Sequence, residues 1–223
     1  MSRHSVRFPG ESAAYRAARD RLLEAEGDLR LKLEEVAALR RALPAGGAVP
    51  QDYEFTAAGG RKVPLSDLFR RPGASLVLYS FMFGPDAASP CPMCTSMLDG
   101  LDGTAPHALQ RINLGVVAKA PIERLEAFAR ERGWRNLPLL SSSGTSYNRD
   151  YHGETDDGAQ MPLLNVFTRE GGIVRHRWAS ELLFAPPEPG MNHRHVDLIW
   201  PLWHLLDATP EGRGTDWYPK LAY

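Results

Sequence analysis

The chain has 223 residues, of which 43% are hydrophobic and 24% are charged, and these values suit a globular protein with one sizeable core. Its 26 basic residues are nearly balanced by 27 acidic ones, so the formal net charge is only −1. This balance provides no electrostatic attraction for nucleic acid or for an anionic membrane surface, and neither is expected as a partner.

The amino-terminal residues carry charge without a following apolar stretch, which argues against a signal peptide. No window approaches the roughly 20 apolar residues that a membrane-spanning helix needs. We therefore expect a cytoplasmic protein that makes no membrane contact. In that reducing compartment two cysteines are not expected to form a structural disulfide, so they need another role.

The first predicted element is a long helix over residues 12–43. Leu22, Leu29, Val36 and Leu43 recur every seven residues, and Pro44 ends the pattern. Such a stripe predicts either a helix packed on its own domain or a seam between two copies of the chain, which makes a homodimer an alternative. With the linker that follows, it defines an amino-terminal helical extension over residues 1–50.

The next segments alternate between strand and helix patterns. A nearly continuous apolar run over residues 75–83 is typical of a strand buried on both faces of a sheet. The other predicted strands cover residues 53–56, 109–117 and 137–140, with a turn at residues 59–60 and a hairpin over 163–168 and 173–178. Predicted helical segments cover residues 65–69, 95–108, 121–132 and 196–206.

This order predicts an α/β sandwich with a mixed central sheet. We assign it to residues 51–185 and expect residues 186–223 to form a carboxyl-terminal extension packed on it. Within the domain, a polar connection over residues 141–160 is long enough to carry functional residues.

The two cysteines form a Cys-x-x-Cys motif, Cys91-Pro92-Met93-Cys94, between the buried strand and a predicted helix. At the start of a helix, free N–H groups and the helix dipole stabilise a thiolate, which is the reactive form of cysteine. Pro92 suits the first helical position, where its missing N–H is not needed. The motif predicts a thioredoxin-like thiol–disulfide oxidoreductase, in which Cys91 is the nucleophile and Cys94 resolves the mixed disulfide.

Two other roles for the cysteines stay open. They are either reduced and idle, or they form half of a zinc site completed by His193 and His195 in Cys₂His₂ coordination. We expect no metal as the main interpretation, because the chain contains no second Cys-x-x-Cys motif.

Met161 and Pro162 are candidate substrate-binding residues, because Pro162 stands directly before a predicted buried strand. A thioredoxin-type site requires such a proline in the cis form, facing the cysteines; the alternative is an ordinary trans proline that opens the strand. The preceding connection contains His152, which is either a base at the same site or a loop residue. Arg149 and Asp150 either orient a substrate or pair on the surface.

Several segments spread over nearly the whole chain resemble a known family. They are residues 38–44, 53–55, 65–69, 79–85, 133–134, 139–142, 147–150 and 209–214. In these segments the chain is similar to the thioredoxin-like family catalogued as domain of unknown function 899, whose members are often labelled predicted dithiol–disulfide oxidoreductases. The resemblance implies a thioredoxin-like fold and thiol–disulfide chemistry without a defined substrate.

The expected substrate is a disulfide-bearing protein or a small thiol, and no organic cofactor is expected because the sequence has no phosphate-binding glycine-rich loop. The loop before Cys91 is also similar to peroxiredoxins. However, Pro85 and Ser89 precede Cys91 with one residue fewer than the Pro-x-x-x-Thr-x-x-Cys frame of that family. A thiol peroxidase therefore remains an alternative, as does a non-catalytic scaffold with or without zinc.

Overall fold

The computed structural model describes residues 4–187, 189, 193–214 and 217–223, and the chain divides into two compact units, Met1–Pro44 and Ala45–Tyr223. The first unit contains the helix α1 (Ala13–Ala42), close to the predicted range. α1 begins where the Ser12 side chain accepts a hydrogen bond from the backbone N–H of Tyr15, a standard amino-terminal cap. Leu22 and Leu29 of the predicted stripe are exposed.

The second unit consists of one mixed sheet and the helices around it. Its strands are β1 (Glu54–Ala57), β2 (Arg61–Pro64), β3 (Leu76–Ser80), β4 (Asn113–Ala118), β5 (Leu139–Ser141), β6 (Leu164–Glu170) and β7 (Ile173–Ala179). Its helices are α2 (Pro92–Ala108), α3 (Ile122–Arg132), α4 (Tyr147–Asp150) and α5 (Pro201–Asp207). Four 3₁₀ turns at Ala58–Gly60, Leu65–Leu68, Glu181–Leu183 and Asp197–Ile199 complete the described elements.

The strands lie in the order β2-β1-β5-β4-β3-β6-β7. β3 and β4 are parallel and are joined through α2, whereas β6 is antiparallel to β3 and β7 is antiparallel to β6. A β-α-β unit followed by a hairpin in the same sheet is the thioredoxin-like arrangement, so the predicted α/β fold with a mixed sheet is confirmed.

β3 lies in the middle of the sheet because it contributes to a hydrophobic core on each face. Leu76 and Leu78 belong to one cluster of buried side chains, and Tyr79 belongs to the other, as the two-residue period of a strand requires. The second cluster also contains Met97 of α2 and Trp203 of α5. The carboxyl end of β3 therefore emerges next to α2, where the cysteines lie.

Some element boundaries differ from the predictions. The apolar run was expected to be a strand up to residue 83, but β3 ends at Ser80. Phe81 and Phe83 are nevertheless buried, so their apolar character reflects core packing in a loop. The predicted carboxyl-terminal helix is split at Pro201, since proline is favoured at the first turn of a helix and cannot continue a preceding one.

The last residues of the chain lie on the same unit as the cysteines. Trp203 is buried, and the Trp217 ring lies edge-on to it, with ring centroids 6.0 Å apart. Pro219 is also buried. None of the described helices is both long and apolar enough to cross a membrane.

Candidate active site

Cys91 stands at the amino terminus of α2, where the helix is built around it. Pro92 is the first helical residue, and the Cys91 sulfur accepts a hydrogen bond from the backbone N–H of Cys94 at 3.4 Å. The Cys91 carbonyl accepts two more hydrogen bonds, from the backbone N–H and the hydroxyl of Thr95. Its own N–H donates to the Met82 carbonyl at 3.0 Å, which ties the cysteine to the loop that leaves β3.

The two thiols lie in different environments. Cys91 is partly exposed, whereas Cys94 is only 3% exposed. A hydrogen bond from the Cys94 thiol, together with the Cys94 backbone N–H, lowers the pKa of Cys91 to about 6 against the opposing effect of burial. The same thiol–thiol contact and the burial of Cys94 raise the pKa of the Cys94 thiol well above its usual range. An accessible thiolate next to a buried, protonated thiol can carry out nucleophilic attack followed by internal resolution.

A tyrosine hydroxyl accompanies each sulfur. Tyr79, at the end of β3, is buried and hydrogen-bonded to Cys94, and its burial raises the pKa of the phenol well above the usual value. Tyr218, from the last segment of the chain, has its hydroxyl 3.9 Å from the Cys91 sulfur. Neither tyrosine was predicted at the site: Tyr79 lies inside the predicted strand, and Tyr218 is 127 residues from Cys91.

Cys91 and Pro92 line an open cleft of about 910 Å³. One wall is the loop after β3, and the opposite wall is the connection predicted to carry functional residues. Lys119, at the end of β4, bridges to that connection through an ion pair with Glu154 at 2.6 Å. The other charged lining residues are Asp86, Arg149, Asp156 and Asp157.

Met161 and Pro162 are half-buried beside this cleft, but its lining along the connection stops at Gln160. Of the two alternatives for Pro162, the structure has the trans bond, because the described residues contain no cis peptide bond. The chain enters β6 in extended form, with the Met161 N–H donating to the Gly153 carbonyl and the Leu163 carbonyl accepting from Ser80. Trans is also the intrinsically favoured isomer of an X–Pro bond.

His152 is not brought to the cysteine cleft. It lines a different cavity of about 520 Å³ together with His176 and Phe184, and its ring centroid lies 5.7 Å from that of Phe184. The backbone of His152 is left-handed, with φ of 52°, because the chain reverses after α4. Its neighbour Arg149 lines the cysteine cleft instead.

A zinc site would need His193 and His195 beside the cysteines. In the structure both imidazole rings instead form hydrogen bonds with other residues. His193 Nδ1 lies 3.1 Å from the carbonyls of Leu182 and Ala185, and His195 Nδ1 lies 3.1 Å from the Ser180 hydroxyl. Within the described part of the chain, no three or more His, Cys, Asp or Glu side chains converge on a position where a metal ion could be held.

No curated protein is significantly similar to the chain. Among solved structures, it is similar to an uncharacterized conserved protein from Geobacillus kaustophilus (18% identity, 80% of this chain and 94% of that chain covered, TM-score 0.46). It is also similar to the peroxidoxin BcpB from Mycobacterium tuberculosis (18%, 70% and 94%, TM-score 0.45). A third similar structure is the exposed lipoprotein thioredoxin from Streptococcus pneumoniae (18%, 66% and 96%, TM-score 0.41).

At such low identity none of these likenesses indicates a function for this chain. The model of one protein family, described as bacterial protein of unknown function (DUF899), matches residues 2–223. This match covers all the segments in which the sequence resembled that family, and the thioredoxin-like fold agrees with it. The chain therefore belongs to the DUF899 family.

Proposed function

We propose that the protein is a thiol–disulfide oxidoreductase in which Cys91 is the attacking thiolate and Cys94 is the resolving thiol. One observation carries this proposal: a partly exposed cysteine begins α2 at an open cleft, and its sulfur is hydrogen-bonded to a buried second cysteine. The thiolate is the reactive form in disulfide exchange, and these contacts favour it at neutral pH.

The proposed reaction has two exchange steps. The Cys91 thiolate attacks one sulfur of the substrate disulfide, so a mixed disulfide forms and the other substrate sulfur leaves as a thiolate that takes up a proton. Cys94 then loses its proton and attacks the Cys91 sulfur, which releases the second substrate thiol. The substrate disulfide gains two electrons, and the Cys91–Cys94 pair becomes a disulfide. A small thiol or a protein dithiol must reduce the pair for a second turnover.

The first experiment is a redox titration of the cysteine pair in glutathione mixtures. Free thiols are alkylated, and mass spectrometry measures the fraction of protein in which the pair is reduced. We expect a reversible two-electron transition, roughly between −120 and −270 mV as in known dithiol enzymes. Cysteines that never pair would contradict the proposal. Hydrogen peroxide consumption that is faster than disulfide exchange would assign the site to a thiol peroxidase instead, with a sulfenic acid at Cys91 as the intermediate.

We propose that the protein acts in the cytoplasm. Both cysteines of the chain are assigned to the site, which leaves none for a structural disulfide of the kind that secreted domains use. The substrate is accordingly a disulfide formed on another protein or on a small thiol.

The charge of the cleft predicts a preference among substrates. Of its described lining residues, four carry carboxylates (Asp86, Glu154, Asp156 and Asp157) and two carry cations (Lys119 and Arg149), so the lining is net acidic. We expect cystamine, which is cationic, to react about tenfold faster than the anionic 3,3′-dithiodipropionate at low salt. Each rate is divided by that of free dithiothreitol with the same disulfide, and the ratio is expected to shrink as salt screens the charges.

Asp156→Asn tests the source of this preference, because Asp156 is an exposed acidic residue of the cleft. It is expected to lower the cystamine preference about twofold to threefold. The matched control is Asp67→Asn, which removes the same charge from an exposed position outside the cleft lining. An equal effect of both variants, or a preference for the anionic disulfide, would contradict a role for the charge of the cleft.

A further inference from the structure

Tyr218 contacts Cys91 from 127 residues along the chain. Its hydroxyl oxygen lies 3.9 Å from the Cys91 sulfur, and either atom can donate the hydrogen. A phenol has one O–H donor, and a thiolate only accepts. Once Cys91 is ionised, Tyr218 must therefore be the donor.

Tyr218 is held at this place by contacts on both sides of it in the sequence. On one side the Trp217 ring packs edge-on against the buried Trp203. On the other side Pro219 is buried, and the Arg132 guanidinium donates to the Leu221 carbonyl. The segment 217–223 is thus docked on the domain through anchors separate from the cysteine.

Arg132 is itself fixed as an anchor. It forms an ion pair with Asp99 of α2, and Asp99 also accepts a hydrogen bond from the Trp134 indole N–H at 2.8 Å. The last segment of the chain is therefore linked through Arg132 of α3 to α2, the helix that Cys91 caps. These contacts hold the segment on both sides of Tyr218, which favours a preorganised contact with the reacting sulfur.

We infer that Tyr218 is a third residue of the active site, whose O–H donates a hydrogen bond to the Cys91 thiolate and so stabilises it for attack. This inference rests on the proposed function. When the Cys91 sulfur bonds to the substrate sulfur, its negative charge passes to the leaving thiolate and the hydrogen bond weakens. Partial desolvation and the nearby Cys91 charge raise the pKa of the half-exposed Tyr218 to about 12, so at neutral pH the phenol is protonated while Cys91 is ionised.

The test compares Tyr218→Phe with the wild type in the rate of Cys91 alkylation by iodoacetamide between pH 4 and pH 9, with the modified cysteine located by mass spectrometry. Phenylalanine keeps the ring and removes only the hydroxyl. We expect the pKa of Cys91 to rise by roughly one unit. A less acidic thiol is a stronger nucleophile once ionised, with a Brønsted coefficient of about 0.4–0.5.

These two effects oppose each other and give a distinctive pH profile. Below both pKa values, Tyr218→Phe is expected to react about threefold more slowly, because the loss of thiolate outweighs the gain in nucleophilicity. Above both pKa values it is expected to react about threefold faster. A change in the access of iodoacetamide to Cys91 alone scales the rate at every pH and does not make the curves cross.

The matched control is Tyr223→Phe, in the same segment. The Tyr223 hydroxyl accepts a hydrogen bond from the Lys220 N–H at 3.3 Å, so its loss affects the segment without removing the group at the sulfur. The profile of this variant is expected to coincide with that of the wild type. An equal pKa shift in both variants would assign the effect to docking of the segment and overturn the role of the Tyr218 hydroxyl.

Two further outcomes separate this inference from the proposed function. If wild-type Cys91 titrates near pH 6 and exchanges disulfides while the Tyr218→Phe profile coincides with it, the inference alone is overturned. If wild-type Cys91 shows no acidic titration and the pair exchanges no disulfide, both are overturned.

Discussion

We expect Cys91→Ser to reduce disulfide exchange by more than about a thousandfold, because a serine hydroxyl is not ionised at neutral pH and cannot attack a disulfide. The loss should not come from unfolding. Serine is a favoured residue at the amino-terminal cap that Cys91 occupies on α2, so the helix should begin as before. The measurement is reduction of a protein disulfide with dithiothreitol as the electron source, alongside thermal unfolding of the same samples.

Comparison with Cys94→Ser tests which cysteine attacks the substrate and which one resolves the mixed disulfide. The nucleophile remains, so the first exchange step should proceed and a covalent mixed disulfide should accumulate, because the buried resolving thiol is gone. Intact mass spectrometry after mixing with a disulfide substrate should show one substrate half attached to Cys91. The opposite pattern, with the adduct on Cys94 in Cys91→Ser, would reverse the two roles.

The second large effect is expected on stability, from Asp102→Ala in α2. The Asp102 side chain is buried and accepts hydrogen bonds from the backbone N–H groups of Arg135, Asn136 and Leu137 at 2.8–3.1 Å, and from the Asn136 amide. Alanine leaves these donors without their acceptor. We expect the free energy of unfolding to fall by about 3 kcal/mol, since hydrogen bonds to charged groups are stronger than neutral ones and an unsatisfied buried donor is costly.

Urea denaturation of Asp102→Ala, Asp102→Asn and Asp67→Ala tests this expectation. Asparagine keeps one oxygen acceptor and should lose about half as much stability as alanine. Asp67 is exposed, and its replacement should change the free energy of unfolding by less than about 0.5 kcal/mol. A loss below about 1 kcal/mol for Asp102→Ala would mean that other groups or water satisfy the backbone between α3 and β5.

Asp102 also shows what a sequence pattern does not reveal. A single aspartate within a helical pattern is most simply interpreted as a solvent-facing residue, and nothing near it in the sequence points to its partners. Those partners are about 33 residues away and come together only when α2 packs beside the turn before β5. Its importance for stability is therefore decided by tertiary contacts.

The elements with clear local signals were predicted well. α1, α3 and the hairpin of β6 and β7 lie within a few residues of their predicted ranges, because caps, turn residues and apolar periodicity act over short distances. The strand β3 was extended too far, since Phe81 and Phe83 are apolar for reasons of packing. Apolar character indicates burial, and it does not indicate whether the backbone pairs with a neighbouring strand.

The candidate site was predicted in part. The position of Cys91 at the start of a helix follows from the motif itself, because the spacing of the cysteines and the following proline are local features. The sequence left open whether Pro162 is cis or trans and whether His152 lies at the site; the structure has a trans bond and places His152 at a separate cavity. Neither the path of a connection nor an isomer choice is specified by neighbouring residues alone.

By itself the sequence determined the family, the α/β class, the run of elements and the cysteine pair, because each depends on composition, short motifs or periodicity. Tertiary structure alone decided which other side chains meet the sulfurs. Tyr218 reaches Cys91 because the last segment is anchored on Arg132 of α3, and Lys119 lies in the cleft because β4 ends beside it. Such contacts join residues far apart in the chain, and they arise only when separate elements pack on one sheet.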